Sequence, residues 1–236
     1  MLKIEPRKNR SNFLEVSAPV IAVFLTMIFG GFLFLSMGKN PFEAIKLIFW
    51  DPIMSPTFSE YSRPQLVIKA APLILIALGL SFGFRANIWN IGAEGQYIMG
   101  ALISGSIGLA LYPLDSMVIF PLMILGGIIG GILWAMIPAI LKIRFNTNEI
   151  LVSLMLVYVA EQILALASVG FLRNPEGLGF PGSRDLSKYP SAANPELIAN
   201  SGIHMGVIFS IIAVIVLTYF LISVSYTHLR AHETRY

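Results

Sequence analysis

Long apolar stretches alternate with short polar ones along this chain. Residues 117–141 carry no charged side chain over 25 positions, and residues 203–222 carry none over 20. A bilayer core needs about 20 such residues in a helix, at ~1.5 Å rise per residue. The pattern predicts six spans, over residues 18–37, 66–84, 91–112, 117–141, 150–172 and 203–222. The predicted fold class is therefore an all-α polytopic transmembrane helix bundle.

Composition agrees with a membrane protein and excludes several other classes. Hydrophobic residues make up 56% of the chain and charged residues 12%, about half the share of charge in a soluble domain. The chain has no cysteine, which excludes disulfides and cysteine metal ligands. Its net charge of +3 is small and scattered along the sequence, so we expect no nucleic-acid partner and expect the lipid bilayer instead.

Lysine and arginine are unevenly distributed between the connecting segments. With the N-terminus inside, seven of them fall among the 31 residues of the inner segments 1–17, 85–90 and 142–149. Six fall among the 62 residues of the outer segments 38–65, 113–116 and 173–202. Because basic residues are enriched in short cytoplasmic segments, residues 1–17 are predicted to be cytoplasmic. A short amphipathic helix over 39–50 and an ordered, Pro- and Gly-rich loop over 174–196 are then expected outside.

The segment FRANIWNIGAEGQYIMGAL (residues 84–102) places polar side chains between two apolar runs. These residues are Arg85, Asn87, Asn90, Glu94 and Gln96. Gly92 and Gly95 stand where a helix would start, and the free N–H groups of a helix start favour an anion or an acidic side chain. Polar, non-helical backbone at membrane depth is tolerated where it lines a cavity or is buried in protein. The segment therefore predicts a discontinuous helix beside a substrate path, with a short polar interfacial turn as the alternative.

Glu161 is the twelfth of the 23 residues of the fifth predicted span. A carboxylate near the bilayer centre costs at least ~2.5 kcal/mol on insertion scales, so it must be protonated, paired or in contact with water. Gln162 follows it, and Tyr158 and Ser168 lie near its face at helical spacing. The two hypotheses are a polar cavity lining and a neutral carboxylic acid bonded to a neighbouring helix.

Small residues recur at helical spacing in two of the predicted spans. They are Gly100, Ser104 and Gly108 in the third span and Gly126, Gly127, Gly130 and Gly131 in the fourth. Because small residues let helix backbones approach closely in lipid, they predict ordinary tight packing within the bundle. Pro121 and Pro138 are expected to bend the fourth span.

Catalytic motifs are absent from the sequence. It has no G-x-S-x-G or H-E-x-x-H pattern, and Gly38-Lys39 lacks the rest of a phosphate-binding P-loop. The chain is therefore predicted not to be an enzyme and to hold no metal and no ATP of its own. Any energy for transport would come from a partner or an ion gradient.

Two segments resemble the signatures of bacterial ABC-importer permeases for nucleosides and simple sugars, which are related to the ribose and branched-chain amino-acid permeases. They are RANIWNIGAEGQYIMGAL (residues 85–102) and RFNTNEILVSLMLVYVA (residues 144–160). The resemblance covers about residues 10–222 and implies a multi-pass permease of the bacterial plasma membrane. The partners it implies are a second permease subunit, a cytoplasmic ATPase dimer that binds the ATP, and an extracellular substrate-binding protein.

On this interpretation the chain translocates a nucleoside or simple sugar that the binding protein delivers. The residues expected to border the path or its gate are Asn87, Asn90, Glu94, Gln96, Tyr158 and Glu161. Three alternatives stay open. They are a proton-coupled secondary transporter that uses Glu161, a branched-chain amino-acid ABC permease, and a membrane scaffold that transports nothing.

Residues 18–222 are interpreted as the N-terminal portion of the permease domain. Members of this group are expected to continue with further spans and a coupling helix that docks on the ATPase. Here the sixth span runs into SVSYTHLRAHETRY, which resembles a translated sequencing adapter. Residues 223–236 are therefore expected to be an artefactual tail and the chain a fragment. His228 and His232 have the i, i+4 spacing of a metal pair but are discounted as part of that tail.

The predicted topology can be tested with single cysteines, because the chain has none of its own. Ser187→Cys lies in the predicted outer loop and should react with an impermeant thiol reagent in intact cells. Thr147→Cys lies in a predicted inner loop and should react only after the cells are permeabilised. The opposite labelling pattern would contradict a cytoplasmic N-terminus.

Overall fold

The computed structural model describes residues 12–199 and 201–223. Its helices are α1 (Asn12–Ser36), α2 (Pro41–Ile45), a π-helical turn (Lys46–Trp50), α3 (Asp51–Met54), α4 (Ser59–Arg85), α5 (Ala93–Ala110), α6 (Ile119–Phe145), α7 (Glu149–Val169), a 3-10 turn (Leu186–Lys188) and α8 (Met205–Ser223). The β structure in these residues is a single isolated bridge between Glu196 and His204. The predicted all-α class is confirmed. Apart from Ser223, the predicted tail lies outside the described residues, as do residues 1–11 of the predicted N-terminal segment.

Five helices are long and apolar enough to cross a membrane, namely α1, α4, α6, α7 and α8. They match five of the six predicted spans, and α4 is longer than predicted because it begins at Ser59. The third predicted span, 91–112, is the exception. It is the 18-residue helix α5, and Glu94 stands in its first turn. This polar start shortens the apolar part of α5, so α5 is not among the five long apolar helices.

The chain divides into two compact units, with the boundary between Leu66 and Val67 inside α4. In the first unit, the predicted helix over 39–50 is present as α2 and the π-helical turn. Asn40 caps α2 by accepting from the N–H of Phe42 at 3.0 Å, and Pro41 occupies the first helical position, where its missing N–H costs nothing. Farther along, the Arg63 guanidinium donates to the Ile53 carbonyl at 2.7 Å.

In the second unit, α5 packs against α6 along most of its length through small residues. A Cβ atom built on Gly100 would lie 2.8 Å from the carbonyl oxygen of Gly127. One built on Gly130 would lie 3.0 Å from the carbonyl oxygen of Met99. Backbones this close leave no room for a larger residue, so the predicted role of these glycines in helix packing is confirmed. Pro138 lies inside α6, whereas Pro121 lies in its first turn, where proline fits without breaking a bond.

The segment between α7 and α8 is an ordered loop, as predicted. Its buried Tyr189 packs with Ile119, Met123 and Ala192. The Tyr189 hydroxyl bonds to the carbonyl oxygens of Leu111, at 3.1 Å, and Leu114. Burial raises the pKa of Tyr189, and the nearby Asp115 carboxylate adds to the effect. The loop is therefore tied to the connection between α5 and α6.

The ends of α4 and α8 meet on the opposite side from that loop. The Arg85 guanidinium donates to the carbonyl oxygen of Leu221 at 3.1 Å. A cation near the last carbonyls of a helix is favourable because the helix C-terminus carries partial negative charge. Arg85, the first polar residue of the segment 84–102, therefore links two helix ends.

We expect Gly100→Ala to destabilise the chain by about 1–3 kcal/mol, because the added methyl group would overlap the Gly127 backbone. Gly105→Ala on the same helix is the matched control, since a Cβ there meets nothing within 4 Å. It should be neutral or stabilising by about 0.5–1 kcal/mol. Thermal unfolding in lipid nanodiscs measures both variants. Equal melting temperatures would contradict the close approach of α5 and α6.

Candidate functional site

The candidate site begins where α4 ends, with a cap built around Asn87. Asn87 adopts a left-handed conformation, φ 57°, while its N–H bonds to the Phe84 carbonyl at 3.1 Å. The N–H of Ile88 bonds to the Gly83 carbonyl at 2.9 Å. This pair of bonds is a Schellman motif, in which glycine or asparagine takes the left-handed position. Asn87 therefore has a structural role that its polarity alone did not reveal.

The next residues, 88–92, are non-helical and fixed by polar contacts. The Asn90 side-chain oxygen accepts from the N–H of Gly92 at 2.9 Å. The N–H of Ile91 donates to the Ser153 hydroxyl on α7 at 3.2 Å, and that hydroxyl donates to the Ile150 carbonyl at 3.1 Å. Ser153 is almost fully buried. The buried polar backbone here therefore has protein partners, as buried polar groups generally do.

Two glycines bring the start of α5 onto α7. A Cβ on Gly92 would lie 2.8 Å from the Ser153 carbonyl oxygen, and one on Gly95 would lie 3.1 Å from the Val157 Cα. The same Cβ on Gly95 would be 3.2 Å from the indole nitrogen of Trp134 on α6. Both glycines of the NIGAEG motif are thus explained by close helix packing.

The turn between α6 and α7 faces this segment. Asn146 ends α6 in a left-handed conformation, φ 50°. Asn148 caps α7 by accepting from the N–H groups of Ile150, at 3.0 Å, and Leu151, at 3.3 Å. Across the turn, the Lys142 ammonium lies 2.9 Å from the Glu149 carboxylate. The second signature segment therefore encodes a tight, capped helical hairpin.

Contacts along α6 and α7 show where the start of α5 lies relative to the ends of these two helices. A Cβ on Gly131 would be 3.5 Å from the Gln96 carbonyl oxygen, and Gly131 precedes the end of α6 by 14 residues, or about 21 Å along the helix. Val157, which Gly95 contacts, follows the start of α7 by eight residues, or about 12 Å. Both contacts therefore lie well inside the ends of α7 and of α6, which is about 40 Å long.

A cleft lies between the 86–90 segment, the second half of α6 and the start of α7, with a cavity volume of about 520 Å³. We call it the 86–90 cleft. Its polar lining residues are Asn87, Trp89, Asn90, Gln96, Lys142, Glu149 and Ser153. The other lining residues are small or apolar, including Pro138 and Ala139. The cleft thus brings polar groups of the two signature segments together within a largely apolar lining.

Of the six predicted site residues, the structure brings three together. Asn87, Asn90 and Gln96 all line the 86–90 cleft. Glu94 is exposed in the first turn of α5 and does not line it. In the described residues, no protein hydrogen bond involves the Gln96 carboxamide or the amide nitrogens of Asn87 and Asn90, so these groups are available to a ligand.

Tyr158 and Glu161 lie elsewhere on α7. The buried face of α7 carries Ser153, Val157, Ala160 and Ala167, whereas Tyr158 is 59% exposed and Glu161 is also exposed. Neither lines the 86–90 cleft. Their assignment to the path or its gate stays a prediction.

Sequence reasoning missed Trp89, Lys142, Glu149 and Ser153 as lining residues. Trp89 lies inside the first signature segment, residues 85–102. Aromatic residues are common near membrane interfaces, so its presence alone does not indicate a binding site. Lys142 and Glu149 carry opposite charges on either side of a predicted turn, and this spacing could have predicted their ion pair. Ser153 has no sequence signal, because only the fold brings it to Ile91.

The family model described as "Branched-chain amino acid transport system / permease component" matches residues 63–227. No solved structure matches the chain significantly.

Several curated proteins are similar to the chain. A glucose ABC transporter permease protein of Haloferax volcanii, TsgB13, is 28% identical over 91% of this chain and 57% of its own length. The guanosine ABC transporter permease protein NupP of Bacillus subtilis is 32% identical over 60% of this chain and 39% of its own. The nucleoside ABC transporter permease protein NupB of Lactococcus lactis subsp. cremoris is 26% identical over 86% and 56%. The chain thus spans about half the length of these relatives.

Two substitutions of Asn87 separate its role in capping α4 from any role of its carboxamide group. Asn87→Gly keeps a residue that adopts φ 57° easily, whereas Asn87→Ala forces a Cβ into the left-handed region. We expect the alanine variant to be less stable than the glycine variant by about 1 kcal/mol. Thermal unfolding of the two proteins in nanodiscs measures the difference. Indistinguishable stabilities would argue against the Schellman cap.

Proposed function

Because the chain belongs to the family of permease components of branched-chain amino acid transport systems, we propose that it is a membrane-spanning permease subunit of an ABC importer. Its proposed cargo is a nucleoside or simple sugar. The observation that carries this proposal is a cleft that joins polar groups from the two signature segments of a multi-pass helical chain. The names of the glucose, guanosine and nucleoside relatives support the cargo class.

The proposed importer needs partners for energy and for cargo. They are a second permease subunit, a dimer of cytoplasmic ATPases that binds ATP, and an extracellular substrate-binding protein. The absence of a P-loop in the sequence supports a subunit that does not hydrolyse ATP itself. With the N-terminus inside, the turn 146–148 and the 86–90 cleft face the ATPases.

The cleft is the proposed inner part of the translocation path. Asn87, Asn90 and Gln96 border it directly, and Glu94 stands on the adjoining turn of α5. An ATPase can shift a permease between two states only by contacting those states differently. The α6–α7 hairpin forms one wall of the cleft. Contact of an ATPase with this hairpin would transmit the change of state to the cleft.

A proton-coupled mechanism is less well supported. It would require a carboxyl group with access to the path, and Glu161 does not line the cleft. The carboxylate that does line it, Glu149, is paired with Lys142 at 2.9 Å. These contacts favour transport driven by partner ATPases.

Reconstitution of the complete importer in proteoliposomes tests the proposal. The permease alone should hydrolyse no ATP, while the full complex should take up guanosine or glucose only with ATP and the binding protein present. A complex with a hydrolysis-dead ATPase is the matched control. Uptake driven by a pH gradient without ATP, or uptake of leucine alone, would overturn the proposal.

A further inference from the structure

We propose that the 86–90 cleft is selective for a nucleoside and that Trp89 is the platform on which the nucleobase stacks. This inference rests on the proposed transport function and narrows its cargo. It follows from three properties of the cleft: a fixed, accessible indole, unused amide groups, and an internally neutralised charge. Together they match a planar base carrying an uncharged sugar.

The first property is the position of Trp89. Its ring packs on Phe84, with centroids 5.0 Å apart and planes tilted by 35°. Its indole nitrogen donates to the Asn87 side-chain oxygen at 3.4 Å. Trp89 is nevertheless 48% exposed and lines the cleft. An aromatic ring that is supported by neighbours and still accessible can stack on any base, because every base has a π-face.

The second property is the hydrogen-bonding capacity of the cleft. The side-chain oxygens of Asn87 and Asn90 are engaged by Trp89 and Gly92, which orients both carboxamides. Their amide groups keep free donors, and Gln96 offers a donor and an acceptor. Oriented carboxamides suit the ring nitrogens, carbonyls and amino groups on the edge of a base, and the hydroxyls of ribose.

The third property is charge. The charged residues that line the cleft are Lys142 and Glu149, and they form an ion pair with each other. A free amino acid or a nucleotide would bring charged groups that find no unpaired partner among these lining residues. The cavity volume of about 520 Å³ lies within the ~300–1,000 Å³ of ordinary small-molecule sites. A neutral nucleoside meets both conditions.

Uptake by the complete importer, measured with radiolabelled guanosine, tests the role of Trp89. Trp89→Ala should weaken the apparent affinity by about 5- to 150-fold, the range for loss of one base–aromatic stack. Trp89→Phe keeps a ring and should stay within about 5-fold. Trp50→Ala is the matched control, because Trp50 is 58% exposed and lies outside the cleft. It should leave guanosine uptake unchanged.

Photolabelling gives a readout that does not depend on transport. The full chain in nanodiscs is irradiated with 8-azidoguanosine, and the modified peptide is identified by mass spectrometry. We expect labelling within residues 84–96, reduced by excess guanosine but not by glucose, leucine or guanosine monophosphate. Labelling elsewhere, or equal competition by all four compounds, would overturn the inference.

The outcomes separate this inference from the proposed function. If the importer carries guanosine but Trp89→Ala behaves like Trp50→Ala, stacking on Trp89 is wrong and the permease function stands. If it carries glucose and no nucleoside, the selectivity is wrong and the permease function again stands. If it carries neither with ATP and the binding protein, the proposed function itself fails.

Discussion

The close contact of α5 with α6 and α7 is the constraint on which the candidate site depends. At Gly92, Gly95 and Gly100, a Cβ atom would come within 3.2 Å of a neighbouring helix. In lipid, helices gain little from hydrophobic burial against one another, so backbone packing through small residues holds them together. This contact fixes the 18-residue helix α5, whose polar first turn lies well inside the ends of α6 and α7. Without it, residues 86–92 would lose the packing that holds them against α7.

The local hydrogen bonds of the α4–α5 connection determine which of its polar groups stay open. The Schellman cap at Asn87 and the turn at Asn90 use side-chain oxygens and N–H groups locally. Ser153 supplies the remaining contact from α7. Because these bonds satisfy the backbone, the groups that the α4–α5 connection leaves to the cleft are carboxamide edges and an indole face. The site is therefore suited to a neutral polar ligand, and this character follows from the way the α4–α5 connection folds.

Local patterns in the sequence predicted much of this fold. Uninterrupted apolar runs located α6, α7 and α8 to within a few residues, because bilayer thickness sets helix length. The small-residue spacing predicted the α5–α6 contact. Hydropathy did not show that α5 starts partway along α6, because that depends on where the chain re-enters the bundle. It also did not fix the face of α7. Tyr158, Glu161 and Gln162 lie on the exposed face of α7, whereas its buried face is set by small residues such as Ser153 and Ala160.

The two walls of the cleft differ in how they are held together. Lys142 and Glu149 flank a three-residue turn within one hairpin, and caps at Asn146 and Asn148 fix that turn. Their ion pair is partly exposed and so adds little stability, but it needs no partner from another element. The carboxamides and the indole belong to the opposite wall, the α4–α5 connection. A change in the distance between the two walls would therefore alter their contacts with a ligand but leave the Lys142–Glu149 ion pair intact. The cleft would stay neutral, so its selectivity against charged ligands does not depend on how far it is open.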